Sequence, residues 1–190
     1  GDWLRMDRSV FSVRDGRSLD AFSLREPTQV GRFAERIYRH ALDAGLSVVP
    51  LAGGGEQTGK TFVGYNRMYV TAGHWWFGCW LGKSFATNGS RLRAMVGDTI
   101  PGTTLTGTTG QVLRIPIEVF LSVRDPVDYL EVIHNNQGHY GARLDEFADQ
   151  GGQIPPILAT ESGWVMVRVM TLFEGHYRAA VTAPWWIEFD

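Results

Sequence analysis

Hydrophobic periodicity is clearest between Pro27 and Gly45. In this stretch apolar side chains recur at i, i+3, i+4, i+7, i+8, i+11 and i+12, which is the spacing of one face of an α-helix. Proline suits the first turn of a helix, and glycine suits its C-terminal cap. The pattern predicts an amphipathic helix. Its apolar stripe consists of Val30, Phe33, Ala34, Ile37, Tyr38, Ala41 and Leu42.

A short apolar strand and a glycine-rich turn follow this helix. Residues 47–51 predict the strand, and residues 53–57 read Gly-Gly-Gly-Glu-Gln. In α/β proteins the turn after a strand is a common place for reactive side chains. Here the turn offers one Glu and one Gln among glycines. The sequence therefore has the backbone of a site with few groups able to react.

A second pattern, with a period of two, begins after Lys83. Segments 10–13, 47–51 and 67–71 predict strands before this point, and the aromatic segment 74–81 predicts one or two helical turns. Beyond it, several segments predict strands that are separated by Gly, Pro and Asn turns. These are 92–96, 112–122, 129–135, 164–173 and 180–189.

Both alternating faces of 164–170 are largely apolar, so we expect a central strand that is covered on both sides. The expected fold class is α+β. Residues 1–82 would form a partial α/β domain, and residues 83–190 an antiparallel, immunoglobulin-like β-sandwich.

Composition narrows the function classes. The chain has 190 residues, a net charge of −2 and 44% hydrophobic residues, as in an ordinary globular protein. No basic stripe is present, so we expect no nucleic-acid partner. No apolar run approaches about 20 residues, so we expect no membrane span. Cys79 is the single cysteine, which excludes an internal disulfide and leaves the compartment open.

The order of these segments resembles a known family. The helix end Ile37-Tyr38-Arg39-His40-Ala41-Leu42-Asp43-Ala44-Gly45-Leu46 is followed by the strand and the glycine-rich turn. The segments 63–70 and 82–89 come next, and then the β-rich tail. Over roughly residues 20–88 this is similar to the C-terminal part of the PHP (polymerase and histidinol phosphatase) superfamily of metal-dependent hydrolases, in its carbamate-hydrolase-like (CehA/McbA-like) branch.

The resemblance implies an α/β barrel with a divalent-metal site and hydrolysis of phosphoester, carbamate or amide bonds. In that family the late strand ends in Gly-Ser-Asp-x-His, which places Gly54 at the Ser, Gly55 at the Asp and Gln57 at the His. Glycine and a neutral amide are poor replacements for such ligands. The family's early His-x-His is absent from this sequence. The resemblance thus implies ancestry with a degenerate metal site at Gly54, Gly55, Glu56 and Gln57.

We therefore expect a non-catalytic C-terminal region of a larger PHP-type protein, with a structural or ligand-binding role and no cofactor of its own. Its expected partner is an N-terminal region that is missing from this sequence. One alternative is that the fragment forms a wall of a metal-dependent active site completed by that region, with Glu56, Gln57, Asn66 and Arg67 nearest the chemistry. Another alternative is a carbohydrate- or surface-binding sandwich in which Trp185 and Trp186 stack on the ligand.

Other chemical patterns are weaker. His134 and His139 bracket a predicted hairpin turn and would need Asp145 or Glu146 to complete a zinc site. Residues 54–61 match the phosphate-loop pattern formally, but no helical pattern follows them. Cys79 lies among aromatic residues and is expected to be a buried apolar side chain. The tryptophans are expected mainly to fill the core and the seam between the two parts. They are Trp75, Trp76, Trp80, Trp164, Trp185 and Trp186.

Overall fold

The computed structural model describes residues 10–11, 38–50, 67–71, 73–87, 89–122, 129–173 and 176–190. For 10–11, 171–173 and 176–178 it describes the backbone alone. The predicted start of the first helix at Pro27 and the glycine-rich turn lie outside these residues. The helices are α1 (38–43), α2 (Trp75–Trp80) and α3 (Leu144–Asp149). The strands are β1 Val10–Phe11, β2 Val49–Pro50, β3 Arg67–Val70, β4 Ser84–Thr87, β5 Arg91–Val96, β6 Thr104–Gly107, β7 Leu113–Ile115, β8 Ile117–Ser122, β9 Tyr129–His134, β10 Gln137–Ala142, β11 Ile157–Ala159, β12 Gly163–Phe173, β13 His176–Thr182 and β14 Trp185–Phe189.

The end of α1 confirms the predicted glycine cap. Gly45 has a φ of 76°, which a residue without Cβ adopts readily. Its N–H donates to the carbonyl of Leu42 at 2.9 Å, and the N–H of Leu46 donates to that of Ala41 at 3.0 Å. These two bonds form a Schellman motif, which satisfies carbonyls that the helix end would leave unpaired.

β12 lies at the centre of the main sheet, as predicted. It pairs antiparallel with β9 on one side, and with β13 and β14 in succession on the other. β10 extends the sheet beyond β9, and β4 and then β3 extend it beyond β13. β6 joins β14 in parallel.

The change from β13 to β14 shifts the register along β12 by one residue, at Ala183-Pro184. Proline cannot donate to a strand ladder. Within this break the side-chain hydroxyl of Thr182 accepts the N–H of Val167 at 3.0 Å. A side chain therefore replaces the backbone partner that the break removes.

The two faces of β12 pack against different layers. Val165, Val167 and Val169 face the larger core, together with residues of β5, β7, β8 and β11. Trp164 and Met166 face a smaller core with Tyr38 and Leu42 of α1 and its surroundings. This confirms that β12 is covered on both sides, by a second sheet layer and by α1.

The second layer of the sandwich consists of two antiparallel pairs, β5 with β8 and β7 with β11. β7 and β8 are separated by Pro116 alone. In β5, Leu92, Ala94 and Val96 are buried, and Arg91 and Arg93 are exposed. The described residues thus form mainly antiparallel sheets in a sandwich with few, short helices.

β3 and β4 form an antiparallel pair on either side of α2, with Val70 opposite Ser84 and Arg67 opposite Thr87. The hairpin therefore spans residues 82 and 83, where we placed the boundary between domains 1–82 and 83–190. That division, and the PHP-like character of its first part, stay predictions.

Candidate ligand-binding cleft

Most of the site predicted from the PHP resemblance lies outside the described residues. This applies to Gly54, Gly55, Glu56, Gln57 and Asn66. Arg67 is described at the start of β3, where it is exposed and its Nη2 donates to the carbonyl of Gly89 at 3.4 Å. The degenerate metal site and the site wall therefore stay predictions.

The histidine pair flanks a hairpin turn, as predicted. His134 ends β9, and the turn residues Asn135 and Asn136 have φ angles of 47° and 62°, as in a type I′ turn. His139 Nε2 lies 2.8 Å from the carbonyl oxygen of Pro155. Among the described residues no group of three or more His, Cys, Asp or Glu side chains is arranged to hold a metal ion.

The carboxylates that could complete a zinc site with the histidines instead accept backbone N–H groups at the start of α3. Glu146 accepts the backbone N–H of Arg143 at 3.1 Å, and Asp145 accepts the N–H of Glu146 at 3.0 Å. This backbone hydrogen bond, followed by the charge of Arg143, lowers the pKa of Asp145. Both side chains therefore stabilise the first turn of the helix.

The adjacent residues Trp185 and Trp186 face opposite sides of their strand. Trp185 lies in the larger core with 0% exposure, and its indole N–H donates to the carbonyl of Thr99 at 3.2 Å. Trp186 packs against the smaller core and, with Trp80, lines a crevice of about 130 Å³. Sugar stacking by this pair stays a prediction, which depends on Trp186 because Trp185 is enclosed.

The expectation that the tryptophans fill the interior is correct for Trp164 and Trp185. It is wrong for two tryptophans of α2. Trp75 and Trp76 are 66% and 62% exposed and pack edge to face on each other. The physical reason is the orientation of the short helix, which turns Gly78 and Cys79 inwards. A Cβ at residue 78 would meet Val70 at 2.5 Å, so the glycine permits this close approach.

Cys79 is buried beside Met68, with 3.6 Å between the two sulfur atoms. Desolvation by burial raises the pKa of its thiol, so the reactive thiolate is disfavoured. The prediction of a buried apolar side chain is confirmed.

The structure contains a cleft that we did not predict from the sequence. It lies between the hairpin β3–β4 and the pair β5–β8, at the rim of the sandwich, and has a volume of about 550 Å³. We call it the rim cleft. Tyr69 and Phe85 form one wall, and Ile100, Pro101 and Phe120 contribute further apolar surface.

Three flat groups are stacked along the wall of the rim cleft. The rings of Tyr69 and Phe85 are 4.8 Å apart at an angle of 11°. The guanidinium carbon of Arg91 lies 5.1 Å from the centre of the Tyr69 ring, within the range of a cation–π contact. On the same face of β5, the guanidinium carbon of Arg93 lies 5.7 Å from the ring of Phe120, its cross-strand neighbour in β8.

The charged side chains among the described residues that line the rim cleft are all positive. Lys83, Arg91 and Arg93 contribute to the lining, and no Asp or Glu is among its described residues. β5 is paired with β8 along one edge, and its alternation sends the arginines to one side and Leu92 and Ala94 to the other. An apolar interior with a cationic rim follows from this arrangement.

Comparison of the chain with protein-family models, with curated proteins and with solved structures finds no match. In the part of the chain that the structure describes, no helix has the length and apolar character needed to cross a membrane. The geometry of the chain itself is therefore the basis for the functional proposal below.

Proposed function

We propose that this protein is a ligand-binding β-sandwich, which holds a small molecule with an apolar body in the rim cleft. The observation that carries the proposal is the cleft of about 550 Å³ beside the stacked rings of Tyr69 and Phe85. Ligand pockets have volumes of about 300–1,000 Å³ and are lined mainly by apolar and aromatic side chains. The rim cleft satisfies both conditions.

The wall of the cleft is held in place by the sheet. Tyr69 and Phe85 are opposite each other in the antiparallel pair β3–β4, and Phe85 also packs against the larger core. A ring fixed in this way loses little conformational freedom when a ligand packs against it. This supports a site that is formed before the ligand binds.

The proposal keeps the ligand-binding role that we expected for a non-catalytic region of a PHP-type protein. The ancestry, the metal-dependent parent, the missing N-terminal partner and the immunoglobulin-like topology stay predictions of the sequence. Carbohydrate binding also stays a prediction, and the apolar, aromatic lining of the rim cleft favours a more hydrophobic ligand.

A series of three naphthalene compounds tests the proposal, because they share one flat apolar body. They are 2-naphthoate, 2-naphthamide and 2-naphthylmethylamine, which are anionic, neutral and cationic. We expect saturable binding of at least one of them to the full chain in calorimetric titrations. Binding of none of the three would overturn the proposal.

Two variants locate the binding. Tyr69→Ala removes one ring of the stack, and Phe120→Ala removes an exposed ring on the other side of the cleft. We expect each to weaken binding at least fivefold. The matched controls Tyr129→Ala and Leu158→Ala remove exposed side chains outside the cleft lining. Equal losses in controls and cleft variants would contradict the assignment of the site.

A further inference from the structure

Resting on the proposed function, we infer that the rim cleft selects an aromatic molecule with an oxyanion group. The flat body would pack against the apolar lining of the cleft, and a carboxylate or a phosphate would meet Arg91 and Arg93 at the rim. This assigns a chemical class to the ligand.

Arg91 is held in a geometry suited to an oxyanion. Its guanidinium carbon lies over the ring of Tyr69, 5.1 Å from the ring centre, and a cation–π contact of this kind uses the charge and not the N–H donors. The N–H groups of a guanidinium match the two oxygens of a carboxylate or a phosphate, with charge-assisted hydrogen bonds. The contact with Tyr69 therefore positions Arg91 and leaves its donors available for a ligand.

Arg93 places a second cation beside the first. The two arginines are two residues apart on β5 and are both exposed, so their Cα atoms are about 7 Å apart on one face of the strand. Among the described residues neither of them forms an ion pair with a carboxylate. Glu118 lies opposite Met95 in the register of β5 and β8, diagonal to Arg93 on the same face of the pair, and it is not among the described residues that line the cleft.

The stretch of sequence that forms β3, β4 and β5 lacks acidic groups that would compete for these cations. No Asp or Glu occurs between Gln57 and Gly97, and the same stretch contains Lys83, Arg91 and Arg93. A cationic ligand would meet repulsion and find no acidic partner among the described lining residues, whereas an anion would meet three positive side chains. Electrostatic complementarity of this kind sets specificity more than total affinity.

The test compares ligands of equal shape and different charge on the full chain. We expect 2-naphthoate to bind at least about tenfold more tightly than 2-naphthamide, and 2-naphthylmethylamine to bind most weakly. Higher salt would weaken the binding of 2-naphthoate and leave that of 2-naphthamide almost unchanged, because salt screens exposed charges. Equal affinities for 2-naphthoate and 2-naphthamide would overturn this inference and leave the proposed function standing.

Variants at the rim give a second, independent readout. We expect Arg91→Leu to remove most of the preference for 2-naphthoate over 2-naphthamide, and Arg91→Lys to restore it in part, because lysine keeps the charge without the planar fork. Arg114→Leu removes an exposed strand arginine outside the cleft lining and should leave the preference unchanged. An unchanged preference in Arg91→Leu would overturn the inference.

Carboxylate and phosphate ligands are separated by one further titration. 2-Naphthyl phosphate offers three oxygens and a higher charge on the same apolar body. Tighter binding of this compound than of 2-naphthoate would assign a phosphate ester, and the reverse order would assign a carboxylate. Failure of all the naphthyl compounds to bind would overturn the proposed function together with the inference.

Discussion

The indole N–H of Trp164 in β12 donates a hydrogen bond of 2.9 Å to Oδ1 of Asp43, at the end of α1. Oδ2 of the same carboxylate accepts the side-chain amide of Asn136 at 2.9 Å. Asn135, the neighbouring turn residue, accepts the backbone N–H of Trp164 at 2.9 Å. One carboxylate thus joins α1, the central strand and the β9–β10 turn.

Replacement of Asp43 by Ala should destabilise the protein by about 1–2 kcal/mol, because hydrogen bonds to a charged acceptor are worth more than neutral ones and the indole N–H of Trp164 would be left buried. We place the value at the low end of the range because the Asp43 side chain is 36% exposed. Urea denaturation measures this change. Asp98→Ala, at an exposed turn, is the control; equal losses in both variants would contradict the role of Asp43.

Gly163 should not tolerate a methyl group while Asn135 keeps its position. A Cβ on Gly163 would overlap with Oδ1 of Asn135, the atom that accepts the N–H of Trp164. We expect Gly163→Ala to cost about 1–3 kcal/mol. In an Asn135→Gly background the cost of Gly163→Ala should fall by more than half. Additive costs in this double-mutant cycle would refute the coupling.

Ser84 and Thr87 lie in the same strand, and removal of their hydroxyl groups should change the stability of the protein in opposite directions. The hydroxyl of Ser84 is buried and has no hydrogen-bond partner among the described residues, so Ser84→Ala should be neutral or stabilising by up to about 1 kcal/mol. The hydroxyl of Thr87 donates to the carbonyl of Ser90 at 2.7 Å and accepts the N–H of Gly89 at 2.9 Å. Thr87→Val should therefore destabilise by about 1–2 kcal/mol. The unfolding temperatures of both variants test this prediction. A lower unfolding temperature for Ser84→Ala than for the wild type would contradict it.

The stability of the protein should fall in mild acid through His134. Burial, and then the charge of His139, lower the pKa of His134, and Glu161 acts in the opposite sense. Above the ordinary value of 6.5 the group is neutral in both states. As the pH falls through that value the unfolded chain takes up the proton first, so stability decreases until the lower folded pKa is passed.

The slope from this one group cannot exceed about 1.4 kcal/mol per pH unit. Urea midpoints between pH 7.5 and 5.5 should fall for the wild type and stay flatter for His134→Gln. His74→Gln, at an exposed position before α2, is the control for removal of a histidine that lies away from His134. A wild-type pH dependence in His134→Gln would contradict the assignment.

The fold was predictable where burial left a clear pattern. β5, β9 and β12 follow from alternating or continuous apolar positions, and Gly45 follows from the chemistry of helix caps. β6 was missed because Thr-Leu-Thr-Gly has little apolar alternation and pairs in parallel with β14. β10 was missed for a similar reason, since Gln-Gly-His-Tyr-Gly-Ala becomes a strand through the turn at Asn135 and Asn136.

The rim cleft could not be predicted from the sequence because it depends on distant pairings. Its wall needs Tyr69 and Phe85 opposite each other on the two sides of α2, and its rim comes from β5. The alternation of Arg91 and Arg93 with Leu92 places two cations on one face of β5, but the sequence does not show what that face meets. The contact of Arg91 with Tyr69, which only the folded structure shows, is the basis for proposing that this face binds an oxyanion.

The measurement that tests the central claim most directly is a methyl-NMR titration of the full chain with 2-naphthoate. If the rim cleft is the ligand site, methyl signals of Ile100 and Leu121, which line it, will shift and saturate. Those of Ile157 and Leu158 in β11 will not move, and Tyr69→Ala will abolish the saturation. Shifts that are absent, that spread equally to β11 or that persist in Tyr69→Ala would contradict the account.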